Sequence, residues 1–172
     1  MLKFHIMEKI LNGYFFNPTK GKLSMKEMIK EVFSYISEKP EKFYDIVVGC
    51  DSSSLEEPNF PLAVVVLRVG EGGRFFLNNI KYKEKKFYSY KTRILEEVFL
   101  SCQLATYLKE IFEKEGNKEG NYQFRYIHAD VGENGKTKDM IKEVTGLIKG
   151  HGFEPKIKPF SFAASSVADR FS

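Results

Sequence analysis

The chain has 172 residues, of which 42% are hydrophobic and 29% are charged. This length suits one domain with a substantial core, and the composition excludes a disordered chain. No apolar run approaches the roughly 20 residues of a membrane span, so we expect no membrane partner. The net charge of +4 is too small to establish a nucleic-acid partner by itself.

The cysteine count and the N-terminus favour a cytoplasmic protein with reduced thiols. Cys50 and Cys102 are the only cysteines, which excludes a disulfide framework or a four-cysteine zinc site. The first ten residues contain no long apolar core and no small-residue cleavage site, so no signal peptide is visible. The sequence leaves the oligomeric state open.

The first half of the chain predicts one helix and three strands. Ser24 and Glu27 form a capping box, and apolar residues then recur at helical spacing until Pro40. Residues 43–50, 61–69 and 74–82 are rich in β-branched and aromatic residues, which is typical of strands. Their short connections predict antiparallel pairing.

The second half alternates predicted helices, over 91–115, 137–149 and 161–171, with strands over 122–129 and 153–158. Helical crossovers predict that these two strands lie parallel to the first. This order resembles the α/β ribonuclease H-like fold, a five-stranded mixed sheet of order 3-2-1-4-5 with helices on both faces. We predict one such domain over 1–172, with an N-terminal helical extension over 1–40 and a core over 41–172.

Aspartate is scarce, and two aspartates directly follow predicted strands. Asp51 follows the first strand and Asp130 follows the fourth. In the predicted topology both lie at the carboxyl ends of neighbouring parallel strands, where open α/β sheets bind ligands. Strands are about 4.8 Å apart, so two like charges there are unfavourable unless a cation lies between them. The alternative is that each aspartate is only a turn or cap residue.

Two further carboxylates could complete such a site. Glu97 lies on the edge of the apolar arc of the long helix and is predicted to face the sheet, whereas Glu96 is predicted to point away. Asp169 lies in the final helix among small residues that allow close packing. The alternatives are an edge-of-core salt bridge for Glu97 and an exposed charge for Asp169. Hard oxygen ligands of this kind suit Mg²⁺ or Mn²⁺, and three or four of them can hold two ions.

Six stretches, in order along nearly the whole chain, are similar to motifs of one family. They are FFNPTKGKLS (15–24), YDIVVGCDSS (44–53), RILEEVFLS (93–101), YIHADVGENGKTKDMI (126–141), VTGLIKGHGF (144–153) and KIKPFSFAASSVADR (156–170). The chain thus resembles the YkuK-like bacterial proteins, predicted nucleases related to ribonuclease H. The resemblance implies that fold and a carboxylate metal site, which by position consists of Asp51, Glu97, Asp130 and Asp169. One departure is Cys50, where a threonine is expected.

Other residues carry two interpretations each. His128 lies two residues before Asp130 and is either a metal ligand or proton shuttle, or a hydrogen-bonded structural histidine. Lys136 and Lys138 border a glycine-containing loop that leads into a helix N-terminus, a natural phosphate site. They are otherwise plain solvated lysines.

The segment 81–93 has six basic residues against one glutamate, a net charge of +5, interleaved with four aromatic residues. Basic groups bind phosphates and aromatic rings stack on bases, so this segment is a candidate nucleic-acid contact. The alternative is a solvated strand end whose aromatic rings pack into the core. The candidate contacts from this segment and the loop are Lys83, Lys85, Lys86, Lys91, Arg93, Lys136 and Lys138.

These observations predict a metal-dependent nuclease that hydrolyses phosphodiester bonds with two Mg²⁺ or Mn²⁺ ions. Its expected partner is nucleic acid, whether RNA, RNA/DNA hybrid or structured DNA. Asp51, Glu97, Asp130 and Asp169 are its predicted catalytic and metal-binding residues. The alternative is a non-catalytic nucleic-acid-binding protein on the same fold, because a fold by itself does not establish activity.

Overall fold

The computed structural model describes residues 2–53, 57–115 and 120–168, and they form one mixed sheet flanked by helices. The helices are α1 (Leu2–Asn12), α2 (Met25–Glu38), α3 (Tyr90–Glu115) and α4 (Ile141–Gly150), with a 3-10 turn at Lys138–Met140 and a π-helical segment at Ala163–Ala168. The strands are β1 (Phe15–Asn17), β2 (Gly21–Leu23), β3 (Phe43–Cys50), β4 (Asn59–Arg68), β5 (Gly72–Lys81), β6 (Asn121–Gln123), β7 (Tyr126–His128) and β8 (Glu154–Lys156).

The sheet is centred on β3. Strands β3, β4 and β5 pair antiparallel, and the tight turn between β4 and β5 uses Gly70 and Gly72, whose positive φ angles of 84° and 96° favour glycine. On its other side β3 pairs parallel with β6 and β7, and β7 pairs parallel with β8. Gly49 and His128 are partners in this register, which aligns the carboxyl ends of β3 and β7.

The sheet is larger than the sequence predicted. It has eight strands in the order β2-β1-β5-β4-β3-β7-β8, with β6 beside β3, so the prediction of five strands in the order 3-2-1-4-5 was wrong for the whole sheet. The β1–β2 hairpin pairs with β5 and extends that edge, and its three-residue strands are too short to show a periodicity. The strand predicted over 122–129 is interrupted and forms β6 and β7, which both pair with β3.

Alternation along β3 divides the core between the two faces of the sheet. The larger cluster joins α1 to α4 with one face and includes Tyr44, Ile46, Val48 and Cys50 of β3. The opposite face carries a smaller cluster that packs against the π-helical segment: Val47, Ala63, Val65, Leu77, Ala163 and Ala168. The predicted capping box is confirmed, because Ser24 Oγ accepts from the backbone N–H of Glu27 while Glu27 accepts from that of Ser24.

Candidate functional site

The candidate site lies at the carboxyl ends of β3 and β7. Asp51 and Asp130 each stand two residues beyond the paired Gly49 and His128, so their backbones continue side by side past the last ladder pair. Hydrogen bonds continue the sheet up to this point. The N–H of Asp51 donates to the carbonyl of Pro61 at 3.3 Å, and the N–H of Ala129 donates to that of Lys156 at 2.9 Å.

Glu97 reaches this end of the sheet from α3. Its side chain is buried, with 5% of the residue exposed, and Ser52 Oγ donates a hydrogen bond to its Oε1 at 2.5 Å. Burial raises the pKa of Glu97 well above its ordinary value of 4.5, the hydrogen bond from Ser52 opposes that rise, and the charges of Asp51 and Asp130 add to it. Asp51 and Asp130 therefore both lie within electrostatic reach of Glu97.

Arg93 attaches the segment after β3 to the start of α3. Its Nη1 donates to the carbonyl oxygen of Ser53 at 2.5 Å, and its charge lowers the pKa of Glu97 in opposition to burial. Arg93 was predicted as a nucleic-acid contact, and in the structure its guanidinium binds the protein's own backbone. One turn of helix thus positions both Arg93 and Glu97 against the residues that follow Asp51.

Lys158 forms an ion pair with Asp130, a contact that the sequence did not predict. Its Nζ lies 3.1 Å from Asp130 Oδ1. The backbone N–H of Lys158 donates to the carbonyl of Val131 at 2.9 Å, which holds the chain after β8 alongside the chain after β7. The available signal was position alone, since Lys158 is the last residue of the fifth predicted strand and Asp130 directly follows the fourth.

Glu96 is buried, so the prediction that it points away from the core was wrong. Only 9% of the residue is exposed. The hydroxyl of Tyr82 donates to its Oε1, and Lys85 Nζ lies 2.7 Å from its Oε2. Burial and this hydrogen bond both raise the pKa of Tyr82. The segment after β5 packs over this part of α3 and buries Glu96. Helical periodicity could not predict this burial, because the segment that causes it has no regular secondary structure.

His128 has a structural contact. Its ring is buried, and Nδ1 accepts a hydrogen bond from the backbone N–H of Ala163 at 3.1 Å. Phe162 packs edge-on against the ring with centroids 4.6 Å apart. Burial lowers the pKa of His128 to about 4, and the charge of Lys156 lowers it further. The neutral ring therefore supports the start of the π-helical segment, which matches the structural alternative.

The aromatic residues of segment 81–93 are divided between core and surface. Tyr82 and Phe87 pack edge-on against Phe60, with ring centroids 5.6 Å and 5.0 Å away. Tyr88 is 78% exposed. The core-packing alternative therefore holds for Tyr82 and Phe87, and the nucleic-acid contact of this segment stays a prediction.

The predicted basic contacts surround the same end of the sheet, and several have partners within the protein. Lys91 pairs with Asp139 at 2.8 Å, and Lys136 Nζ lies 5.5 Å from the ring centre of Tyr90. These contacts dock the loop after Asp130 onto the start of α3. The lysines among the predicted contacts are all exposed: Lys83, Lys85, Lys86, Lys91, Lys136 and Lys138.

The carboxylates at this end of the sheet have the donor atoms of a metal site. Asp51, Glu97 and Asp130 offer the hard oxygen donors that Mg²⁺ and Mn²⁺ prefer. Within residues 2–53, 57–115 and 120–168, however, no group of three or more histidine, cysteine, aspartate or glutamate side chains is arranged to hold a metal ion. Ser52 engages Glu97 and Lys158 engages Asp130. The fourth predicted ligand, Asp169, lies outside the described residues.

Fold and site together define an α/β protein with a mixed sheet and acidic side chains at the ends of its central parallel strands. Residues 27–172 match the model of a family described as Ribonuclease H-like. The chain therefore belongs to the ribonuclease H-like family.

A curated relative extends this likeness over the chain. The chain is 28% identical over 170 residues to the "Uncharacterized protein YkuK" of Bacillus subtilis strain 168, covering 92% of this chain and 96% of that protein. The resemblance to YkuK-like proteins is thereby confirmed. No solved structure matches the chain. Among the described residues, no helix has the length and apolarity to cross a membrane.

Proposed function

We propose that this protein is a metal-dependent nuclease that hydrolyses phosphodiester bonds of nucleic acid. The observation that carries the proposal is the buried Glu97, whose pKa is raised by burial and further by the charges of Asp51 and Asp130. Glu97 of α3 and the two aspartates at the ends of β3 and β7 are like charges when ionised, and a divalent cation would relieve their repulsion. Membership of the ribonuclease H-like family supports a nucleic-acid-related function.

Asp51, Glu97, Asp130 and Asp169 are the residues proposed to hold two Mg²⁺ or Mn²⁺ ions. When bound, such ions supply a water of lowered pKa and stabilise negative charge on the leaving oxygen. Ser52 and Arg93 position the chain around the carboxylates through Glu97 and the Ser53 carbonyl. Hydrolysis forms a bond from the water oxygen to phosphorus and breaks the bond to the 3′ oxygen, which leaves with a proton and yields a 5′-phosphate.

The proposed substrate contacts are the exposed lysines around this edge and the ring of Tyr88. Lys83 and Lys86 lie on the chain between β5 and α3, and Lys136 and Lys138 lie on the loop after Asp130. Ammonium groups on both sides of the carboxylates would bind phosphates, and the exposed ring of Tyr88 could stack on a base.

A second candidate function is nucleic-acid binding without catalysis. It is favoured by the engagement of Glu97 by Ser52 and of Asp130 by Lys158. It is also favoured by the absence of a three-residue metal group within the described parts of the chain. This candidate requires neither a metal ion nor ionised carboxylates for binding.

Cleavage assays with matched aspartate variants separate the two candidates. We expect wild type to cut RNA, RNA/DNA hybrid or branched DNA with Mg²⁺ or Mn²⁺, and Asp51→Asn and Asp130→Asn to lose at least about 100-fold in rate. Asp45→Asn is the control, because Asp45 lies near the start of β3, whereas Asp51 follows the end of that strand. No cleavage by wild type, with salt-sensitive binding that survives Asp51→Asn, would establish the second candidate.

A further inference from the structure

We propose that Lys158 is the resident counter-ion of Asp130 and that it exchanges with a divalent cation at the carboxylate site. The inference deepens the proposed function, because it concerns how that same site becomes able to bind metal. It starts from the ion pair of 3.1 Å between Lys158 Nζ and Asp130 Oδ1.

The backbone of Lys158 is held in place beside the site. Its N–H donates to the carbonyl of Val131, the residue after Asp130. Gly132 packs so closely on Lys158 that a Cβ at that glycine would lie 3.0 Å from the Cβ of Lys158. Two neighbouring contacts therefore fix the point from which the lysine side chain extends toward Asp130.

The side chain beyond that point is partly exposed to solvent. About 48% of the Lys158 side chain is exposed, against 22% for Asp130. A lysine stem of four methylene groups reorients easily when its head group is in contact with water. The contact therefore combines a backbone held beside the site with a solvent-accessible ammonium group, which is suited to exchange.

Electrostatics gives the reason for a cation at this position. The charge of Asp130 acts on Glu97, and so does that of Asp51. The nearby Arg93 opposes these charges, but its Nη1 donates to the Ser53 carbonyl. Lys158 supplies a positive charge in direct contact with Asp130 and so reduces the repulsion among the three carboxylates.

Lys158 contacts one of the two oxygens that Asp130 can offer a divalent cation. Two cations held at contact distance on one carboxylate repel each other, so binding of the metal favours withdrawal of the ammonium group.

Binding of Mn²⁺ to the whole protein, measured by calorimetry and by the EPR signal of free Mn²⁺, tests the exchange. We expect Lys158→Met to bind Mn²⁺ roughly three to ten times more tightly than wild type, because no ion pair has to break. Lys158→Arg keeps a cation and should remain close to wild type. Lys136→Met controls for the loss of a nearby positive charge, since Lys136 lies over the ring of Tyr90.

A crystal structure with Mn²⁺ gives an independent readout. We expect the distance from Lys158 Nζ to Asp130 Oδ1 to exceed about 4 Å when the metal is bound, beyond the range of an ion pair. Equal Mn²⁺ affinity of wild type and Lys158→Met, or an intact ion pair beside bound Mn²⁺, would overturn the inference. If wild type cleaves nucleic acid in that case, the proposed nuclease function still stands.

The converse result is also informative. Tighter Mn²⁺ binding by Lys158→Met in a protein that cleaves no substrate would support the exchange and refute the nuclease function. If neither wild type nor Lys158→Met binds Mn²⁺, the exchange is refuted together with the proposed metal dependence.

Discussion

The hydroxyl of Ser52 donates a hydrogen bond to the carboxylate of Glu97, and this contact joins the end of β3 to α3 across 45 positions of sequence. Arg93, one turn earlier on α3, binds the carbonyl of the next residue, Ser53. These two contacts hold the segment after Asp51 against the helix. The positions of Asp51 and Glu97 are therefore coupled, and a substitution in either segment should shift the backbone of the other.

Glu97→Gln should stabilise the protein at neutral pH while abolishing the proposed cleavage. Burial raises the pKa of Glu97 above its ordinary value of 4.5, so the folded protein holds a proton that the unfolded chain has lost. Stability contributed by this group is present below pH 4.5 and is lost as the pH rises through the folded-state pKa. The neutral amide removes that loss, and we expect a gain of about 1 to 2 kcal/mol in urea unfolding at pH 7.

The pH dependence distinguishes this explanation from a general packing effect. The gain from Glu97→Gln should disappear near pH 4, where the wild-type carboxyl is protonated in both states. Ser52→Ala is the companion variant. The hydroxyl of Ser52 opposes the rise of the Glu97 pKa. Loss of this hydroxyl should therefore raise that pKa further and lower the stability of the protein at pH 7. A gain that is the same at both pH values would contradict the electrostatic argument.

His128→Asn should remove an acid-sensitive contribution to stability. Burial lowers the pKa of His128 from 6.5 to about 4, so the unfolded chain binds a proton between these values and the folded protein does not. Wild type therefore loses stability as the pH falls from 6.5 to 4, by up to about 3 kcal/mol from this group. Asparagine keeps an oxygen acceptor for the N–H of Ala163 and does not titrate.

Thermal or urea unfolding of wild type and His128→Asn at pH 7 and pH 4.5 measures this difference. Carboxylates also titrate in this pH range, but they are common to both proteins, so their effects on stability cancel in the comparison. We expect the variant to gain relative to wild type on acidification. Parallel pH profiles would show that His128 titrates normally.

The sequence predicted the part of the fold that strong local signals specify. The buried run at 43–50, the capping box at Ser24 and the long helix that became α3 all carry such signals, and the structure has each of them. The β1–β2 hairpin carries none, because its strands have three residues each and gain their stability from pairing with β5. Short strands are therefore visible only once their partner is known.

The same distinction applies to the site. Asp51 and Asp130 could be placed side by side because each directly follows a strand whose direction the connections predict. Glu96 could not be placed, because its burial depends on Tyr82 and Lys85 in a segment without regular structure. Lys158 was missed for a related reason, since its ion pair depends on how two loops meet beyond the ends of β7 and β8.

Arg68→Lys should destabilise the contact between α2 and the sheet. Arg68 is buried, and its Nε donates to the hydroxyl of Tyr44 at 3.0 Å while its Nη2 donates to the carbonyl of Tyr35 at 3.1 Å. Its guanidinium also lies 4.1 Å from the ring centre of Tyr35. Lysine cannot make two directed bonds and a stack together, so we expect the melting temperature to fall by about 5 °C.

Arg74→Lys is the matched control for this variant. Arg74 pairs with Glu38, as Arg68 also does, and its guanidinium lies 4.3 Å from the centre of the Tyr35 ring. The side chain of Arg74 is 33% exposed, against 9% for that of Arg68. We expect a fall in melting temperature of about 2 °C or less. An equal effect of both substitutions would show that the buried bonds of Arg68 add nothing to the ring contact.

Lys83 and Lys85 should differ in nucleic-acid binding although they are two residues apart. Lys83 and Lys85 both border a groove of about 1000 Å³ between α1 and the end of β5. Lys85 is paired with Glu96 at 2.7 Å, whereas Lys83 has no ion pair with any of the residues that the structure describes. Lys83→Ala should therefore reduce the slope of log Kd against log salt by about 0.7 on a single-stranded oligonucleotide, the value of one lost phosphate contact. Lys85→Ala should leave that slope nearly unchanged and lower stability, because Glu96 then keeps a buried carboxylate without its ammonium partner.

Lys149→Ala, at the exposed end of α4, is the control for net charge. A larger change in slope for Lys85→Ala than for Lys83→Ala would place the nucleic acid over α3 and contradict this assignment.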